Sequence, residues 1–469
     1  MKSFATLLLL GTLAVPAVAQ QGPVLATYTV GSTTVSASAL TGNLDTPWEL
    51  LWGPDNFLWM TERAGRISRI DPNTGQLVPL HTLTDVTETG ESGLLGMVLH
   101  PDFATSPYVY VVYNYTDAGT LKEKLVRFTY SATANTLSSP LVLLGNITAV
   151  TTHSGSRLLI LPDRTLLMTT GDAQQRSDAQ TPASLNGKIL RMNLDGTVPA
   201  DNPIAGSMMY TLGHRNPQGL TRAPSGRIYS SEHGENVEDE VNLIEVNRNY
   251  GWPTVEGLCT LPAEQAFCTA NNVREPLASY TPTLAVSGLT YYNHPAIPGW
   301  SNSLLMLSLK AGTFTQLQLN TSGDRVESQN NLWVGTYGRL RAVCVSPQGR
   351  VYVGTSNRDG RGTAAATDDR ILVLENQAYT PAAVKQGAAS LLQLWPNPAA
   401  RTVAVRLPAA VRTSTAIQLR DVLGRTTRSV QVVAGQREVS VDLNGLRSGL
   451  YMVQAQLGDT QYTRRLIVE

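Results

Sequence analysis

The stretch Gly53-Pro54-Asp55-Asn56-Phe57-Leu58-Trp59-Met60 reads as a proline, a turn and then an alternating apolar run, and this phrase keeps returning along the chain. It recurs as His100-Pro101-Asp102 leading to Tyr108-Val109-Tyr110-Val111-Val112-Tyr113, and as Leu161-Pro162-Asp163-Arg164-Thr165-Leu166-Leu167-Met168. Ala223-Pro224-Ser225-Gly226-Arg227-Ile228-Tyr229 and Ser346-Pro347-Gln348-Gly349-Arg350-Val351-Tyr352 continue it. Proline and the small polar residues set a turn, and alternation with period two sets a half-buried strand. The interval before the last copy is close to two of the others, so a degenerate copy is expected between Tyr291 and Leu309. Six such units, with almost no helical periodicity, predict an all-β chain folded as a six-bladed β-propeller. Propellers carry their chemistry on the loops around the central axis.

Composition narrows the function classes. The chain has 469 residues, 42% of them hydrophobic, with 36 basic residues balancing 36 acidic ones. That neutrality argues against a nucleic-acid binder, which would show a basic excess. Three cysteines are too few for a disulfide scaffold and lack zinc spacing. Met1-Lys2, the apolar run from Phe4 to Val15 and Ala17-Val18-Ala19 form a secretory signal peptide over residues 1–19. No other stretch is long and apolar enough to span a membrane, so the expected product is exported and not membrane-spanning. In that oxidising setting Cys259 and Cys268 could pair, while Cys344 reads as a core residue.

The propeller is expected over residues 25–376. A small-residue linker over 377–390 follows, and then a domain over 391–469 in which short alternating runs predict a small β-sandwich.

Lysine is scarce, so Lys310, after Leu305-Met306-Leu307-Ser308-Leu309, is informative; it is expected inside an inner strand of the degenerate repeat. Arg215 and Asn216 lie in the glycine-flanked turn Gly213-His214-Arg215-Asn216-Pro217-Gln218-Gly219, and Arg339 and Arg341 share one face of a strand. Cations from separate blades meeting at one axis need acidic partners or a polyanionic ligand. His153 precedes an apolar strand, and Asp172 ends the next one, where a carboxylate can fix the imidazole tautomer and make it a general base. The acidic run Ser231 to Glu240 can hold a hard cation such as Ca²⁺ through carboxylates and carbonyls, although it lacks EF-hand spacing.

Several ordered phrases from about residue 40 to 376 resemble the soluble quinoprotein glucose dehydrogenase family. They include Gly93-Leu94-Leu95-Gly96, Asn186-Gly187-Lys188-Ile189-Leu190-Arg191, Tyr210 to Leu220, and Asn249-Tyr250-Gly251-Trp252-Pro253. The resemblance implies a six-bladed propeller that uses pyrroloquinoline quinone (PQQ) with Ca²⁺ to oxidise aldoses at C1. His153 would then take the C1 hydroxyl proton while hydride passes to PQQ, Asp172 would orient His153, and Arg215 would polarise the quinone oxygen. Arg215, Asn216, Lys310, Arg339 and Arg341 match PQQ-holding positions. The carbonyls of Gly234 and Glu235 match ligands of the catalytic Ca²⁺, and Glu240 with the Tyr250 carbonyl those of a structural calcium site. Glu91, Thr152, His233 and Asp239 match positions at the sugar.

Glu91 and His233 stand where the glucose enzyme has glutamine, and Thr152 where it has aspartate, so the sugar preference need not be glucose. The loops around 254–285 are shortened, as in the family's broad-specificity aldose dehydrogenases. With no haem-binding C-x-x-C-H segment, the electron acceptor is expected to be external. The last 80 or so residues, opening on Trp395-Pro396-Asn397-Pro398 and carrying Gly449-Leu450-Tyr451, resemble the C-terminal sorting domain of the type IX secretion system. That implies the secretion machinery as a partner and a secreted or outer-surface location. A calcium-dependent propeller lactonase or hydrolase, and a non-catalytic glycan- or protein-binding propeller, are the other readings of the body of the chain.

Overall fold

The computed structural model describes residues 22–380, 392–411, 413–421, 425–457 and 460–469; the expected signal peptide and most of the expected linker lie outside these. The chain is mostly β and divides into two compact units, Met1–Gln377 and Ala378–Glu469.

In the first unit each phrase noted above becomes the hairpin between two antiparallel strands. Pro54 lies between Pro47–Trp52 and Leu58–Glu62, and Arg66–Ile70 and Leu77–Thr82 complete that sheet. The same order recurs in the sheets that run from Leu94–Leu99 to Thr136–Thr148, from Gly155–Ile160 to Met209–Leu212 and from Pro217–Arg222 to Ala278–Tyr280. The degenerate copy forms a further sheet, from Val286–Tyr292 to Val326–Val334. The sixth sheet is built from both ends of the unit: Leu340–Val345, Val351–Thr355 and Ile371–Glu375 continue into Thr33–Thr41 and Val24–Val30.

The first strands of the six sheets pack beside one another in chain order, and Leu340–Val345 returns to Pro47–Trp52. Alternation buries a wedge of side chains between successive sheets. Trp59 and Ile67 meet Met97, Val109 and Phe128 between the first two, and Val241 and Leu243 meet Leu304, Met306 and Leu317 between two later ones. Each such side chain contributes roughly 1.5–3 kcal/mol on burial. Cys344 is buried among them.

Two features differ from the sequence reading. The segment around Cys259 and Cys268, taken as loop, contains the helix Pro262–Ala270. The Glu264 carboxylate caps it by accepting the Leu261 and Thr260 N–H groups at 2.9 and 3.0 Å, and the two cysteines form a disulfide. Lys310 lies not inside a strand but in the turn after Ser303–Ser308, where glycine follows and the side chain is exposed.

The second unit holds a three-stranded sheet (Gln393–Trp395, Thr402–Arg406, Glu438–Asp442) and a four-stranded one (Thr426–Val432, Thr415–Arg420, Gly449–Leu457, Thr460–Val468). Val403, Val405 and Val441 of the first share one buried cluster with Ile417, Leu419, Val453 and Leu466 of the second.

Candidate active site

The segments entering the first strands converge on a cavity of about 510 Å³. His153 precedes Gly155–Ile160, Arg215 precedes Pro217–Arg222, Arg339 precedes Leu340–Val345, and Glu91 approaches Leu94–Leu99; all four line it. So do Thr152, His233, Gly234, Glu235, Asp239, Lys310 and Arg341.

His153 Nδ1 lies 2.7 Å from Asp172 Oδ1. Asp172 is buried behind the ring, and its other oxygen accepts the Trp252 indole N–H at 2.9 Å. Burial alone would raise the Asp172 pKa. Hydrogen bonding and charge from His153, the Gln174 N–H and the Trp252 indole outweigh it and hold the carboxyl below its ordinary value. The His153 backbone is left-handed, with φ +58°. Gly171 passes so close that a β-carbon on it would stand 1.8 Å from the His153 carbonyl oxygen, so only glycine fits. Glu91 Oε2 accepts the His153 N–H at 3.3 Å, and Glu91 Oε1 pairs with Arg361 Nη2 at 3.3 Å. Burial pushes the Glu91 carboxyl up, but His233, Arg361, His153 and Arg341 together hold it below its ordinary value. Burial holds His233 below the ordinary histidine range, against the pull of Asp239 and Glu91. Thr152 Oγ1 accepts Gln174 Nε2 at 2.7 Å.

The cations face the same space. Arg341 is buried, donates to Gln218 Oε1 and Ser356 Oγ at 3.1 Å each, and has its pKa lowered to about 10 by burial. Asp359 stands against it and against Arg339, whose Nε donates at 2.7 Å. Among the described residues Lys310 Nζ meets only the Thr283 hydroxyl, at 3.2 Å. Arg63 and Arg361 add two more guanidinium groups to the lining. Arg215 Nε, Asn216 Nδ2 and His233 Nε2 are buried with no hydrogen-bond partner among the described residues. Unpartnered donors and surplus positive charge around one cavity fit a planar, polycarboxylate ligand such as PQQ.

The loop after Ile228–Glu232 is shaped by Asp239. One of its oxygens accepts the Gly234 N–H at 2.9 Å, and the other the N–H groups of Leu284 and Val286 at 2.7 and 3.3 Å. Asp239, expected at the sugar, therefore braces the wall with both oxygens engaged. No hydrogen bond among the described residues ends on the carbonyls of Gly234 or Glu235, which leaves both to a cation. Those residues hold no group of three or more His, Cys, Asp or Glu suited to a metal, so carbonyls and a bound ligand would supply most of the donors. Glu240 and Tyr250 line a separate small cavity beside Glu232 and Glu256. Burial first, then the Glu232 charge, raises the Glu240 carboxyl to about 8, and cation binding there would relieve both.

Asn216 is buried behind the pocket; its Oδ1 accepts the Gly155 N–H at 3.1 Å and so joins the His153 turn to the Arg215 turn. Sequence reading missed Asp359, Arg361, Glu232, Gln174 and Trp252. Glu232 accepts the backbone N–H groups of both Arg215 and Asn216 and the ring of His214. Asp359 and Arg361 left a local trace in the glycine-rich Arg358-Asp359-Gly360-Arg361-Gly362, and Glu232 and Trp252 lie inside stretches already singled out, the acidic run and Asn249-Tyr250-Gly251-Trp252-Pro253, without their roles being read.

Comparison with known proteins gives the family of the chain. The family model described as glucose / sorbosone dehydrogenase matches residues 44–371, and a secretion system C-terminal sorting domain matches residues 393–469. Quinoprotein glucose dehydrogenase B of Acinetobacter calcoaceticus is 32% identical, over 66% of this chain and 82% of its own. An aldose sugar dehydrogenase of Escherichia coli is 30% identical, over 70% of this chain and 91% of its own. The solved PQQ-bound aldose sugar dehydrogenase of Streptomyces coelicolor superposes with a TM-score of 0.64 at 33% identity, covering 73% of this chain and 98% of that one.

Proposed function

The chain belongs to the glucose and sorbosone dehydrogenase family, and from that premise we propose that it is a PQQ- and Ca²⁺-dependent aldose dehydrogenase. It oxidises the sugar at C1 to the lactone and passes the electrons to an external acceptor. We read its six sheets as the blades of a propeller and its last two as a small sandwich. The last residues are a secretion sorting domain, which directs the chain through type IX secretion to the cell surface or outside. Among the described residues no helix is long and apolar enough to cross a membrane.

The carrying observation is the His153–Asp172 pair opening onto a cavity ringed by cations. When bound, PQQ supplies the two-electron acceptor for the C1 hydride, and Ca²⁺ supplies Lewis acidity. Lys310, Arg339 and Arg341 would hold its carboxylates, and Arg215 would face its polar edge with Asn216 supporting the turn from behind. The rest of the chemistry lies in this chain. Asp172 is ionised and occupies Nδ1 of His153, so the proton on that nitrogen is fixed and the lone pair sits on Nε2. Nε2 takes the C1 hydroxyl proton, and the carboxylate behind stabilises the imidazolium as it forms. Glu91, Arg361, His233 and Thr152 line the same cavity as His153, with acceptors and donors suited to sugar hydroxyls.

A hydrolase reading needs Asn, Asp and Glu around the axis and has no use for surplus cations; here Arg63, Arg215, Lys310, Arg339, Arg341 and Arg361 outnumber the carboxylates Glu91, Glu235, Asp239 and Asp359 on the cavity wall, which favours the dehydrogenase. The test is titration of apo protein with PQQ in Ca²⁺, followed by absorbance, and then a panel of aldoses. Stoichiometric uptake and reduction by some aldose is expected. Protein that takes up no PQQ refutes the proposal.

A further inference from the structure

One buried carboxyl group close to the pocket is unused by the chemistry above. Glu123 lies in the strand Thr120–Ser131, 1% exposed, where it pairs with Asn114 of the strand Tyr108–Asp117. Its Oε2 accepts Ser156 Oγ at 2.9 Å and Asn114 Nδ2 at 3.4 Å, while Oε1 meets no partner among the described residues. Asn114 Nδ2 also lies 3.2 Å from Ser154 Oγ, and Asn114 Oδ1 accepts the Gly93 N–H at 3.2 Å. The pair thus touches both segments that meet in the pocket, one carrying Glu91 and the other His153. Those segments are themselves joined: the Glu91 N–H donates to the Thr151 carbonyl at 2.7 Å, and the His153 N–H to Glu91.

The turn resting on this network is one the backbone resists. His153, Gly155 and Ser156 have φ of +58°, +67° and +71°. For His153 and Ser156 the β-carbon crowds the carbonyl oxygen, and such residues persist only where surrounding contacts over-determine them. Ser156 is fully buried, and its hydroxyl is bound to Glu123 on one side and the Ser154 carbonyl on the other.

We propose that Glu123 is a positioning residue for sugar oxidation: through Ser156 and Asn114 its carboxyl group locks the 153–156 turn and fixes how the His153 ring faces the pocket. This rests on the reading of His153 as the base. Burial raises the Glu123 carboxyl to about 8, opposed only by hydrogen bonds from Ser156, Asn114 and Ser154. At neutral pH it is therefore a neutral group with the shape of a glutamine amide.

The test uses the full chain reconstituted with PQQ and Ca²⁺. In Glu123→Ala, kcat should fall at least about tenfold while KM and PQQ stoichiometry stay within about threefold, as for a displaced base. Glu123→Gln should return kcat to within about threefold of wild type. Independently of turnover, the His153 Nδ1 proton, identified by its loss in His153→Asn, should shift or broaden by NMR in Glu123→Ala and remain in Glu123→Gln. Unchanged kcat and an unchanged ring proton in Glu123→Ala overturn the proposal, as does a Gln variant as impaired as the Ala variant. Should Glu123→Ala fail to fold, Ser156→Ala carries the same test with the same two outcomes. A wild type that oxidises no aldose defeats the dehydrogenase reading, and the ring proton then decides the role of Glu123 alone.

Discussion

Glu123→Gln should change the stability of the first unit by an amount whose size and sign are set by pH. The carboxyl titrates near 8 in the folded chain against 4.5 for an ordinary glutamate, because burial penalises its charge and no cation offsets it. Between those values the folded state holds a proton that the unfolded state has released. Stability from this group is therefore fully present below pH 4.5 and is lost as pH rises toward 8. At about 1.4 kcal/mol per pH unit, roughly 3 kcal/mol is lost by pH 7 and about 4 by pH 8, where the folded-state group is itself half ionised. Glutamine needs no proton, so it escapes that loss while its amide oxygen still accepts from Ser156 and Asn114. Against this, its NH₂ must lie at the unpartnered Oε1 position, and the additional unsatisfied N–H costs about 1–2 kcal/mol. The net expectation is a variant about 1 kcal/mol less stable than wild type at pH 5 and about 1–2 kcal/mol more stable at pH 7, the difference growing further by pH 8. Urea unfolding at pH 5, 6, 7 and 8, followed by tryptophan fluorescence, reads this directly, since six of the seven tryptophans lie in the first unit. A stability difference that does not change with pH would refute the reasoning, because it would mean that Glu123 is ionised in both states.

His153→Ala should bind PQQ with unchanged stoichiometry yet lose about 10²–10⁴ in kcat for every aldose, measured by dye reduction. Asp172→Asn should lose at least about tenfold in kcat with KM little changed, because an amide cannot enforce the tautomer or stabilise the imidazolium. Trp252→Phe removes one of the hydrogen bonds that keep Asp172 ionised, so its carboxyl should titrate higher and the acid limb of the kcat profile should move to higher pH. Lys310→Ala should weaken PQQ about tenfold or more by equilibrium titration, the loss of one charge-assisted hydrogen bond at about 1.5–3 kcal/mol, with the unfolding midpoint of the apo protein unchanged.

What the sequence made legible and what it hid follow from how each feature is written into the chain. Proline-turn-strand phrases are local, so the hairpins opening the sheets around Pro54, Pro101, Pro162, Pro224 and Pro347 could be read without any knowledge of tertiary contact. His153 and Asp172 were also within reach, because they sit at the ends of strands that pair directly, Gly155 opposite Thr170. The parts that went unread are contacts that no local pattern announces, made across a hairpin, a loop or a pair of neighbouring sheets. Glu232 binds the Arg215 turn from the next strand, Asp359 answers Arg339 and Arg341 from across a loop, and Glu123 reaches Ser156 from a neighbouring sheet. A buried carboxylate and a solvated one are the same letter, and only closure of the ring of strands decides between them. The helix Pro262–Ala270 escaped for a related reason: none of its residues is buried, so it has no apolar stripe, and its cap and disulfide are what define it. The residues that support the His153 turn from behind, as distinct from Asp172 at its ring, are thus those whose role depends on the whole fold being in place. Alanine substitutions at Asn114, Glu123 or Ser156 should accordingly disturb turnover while leaving the cation-lined pocket able to bind its ligand.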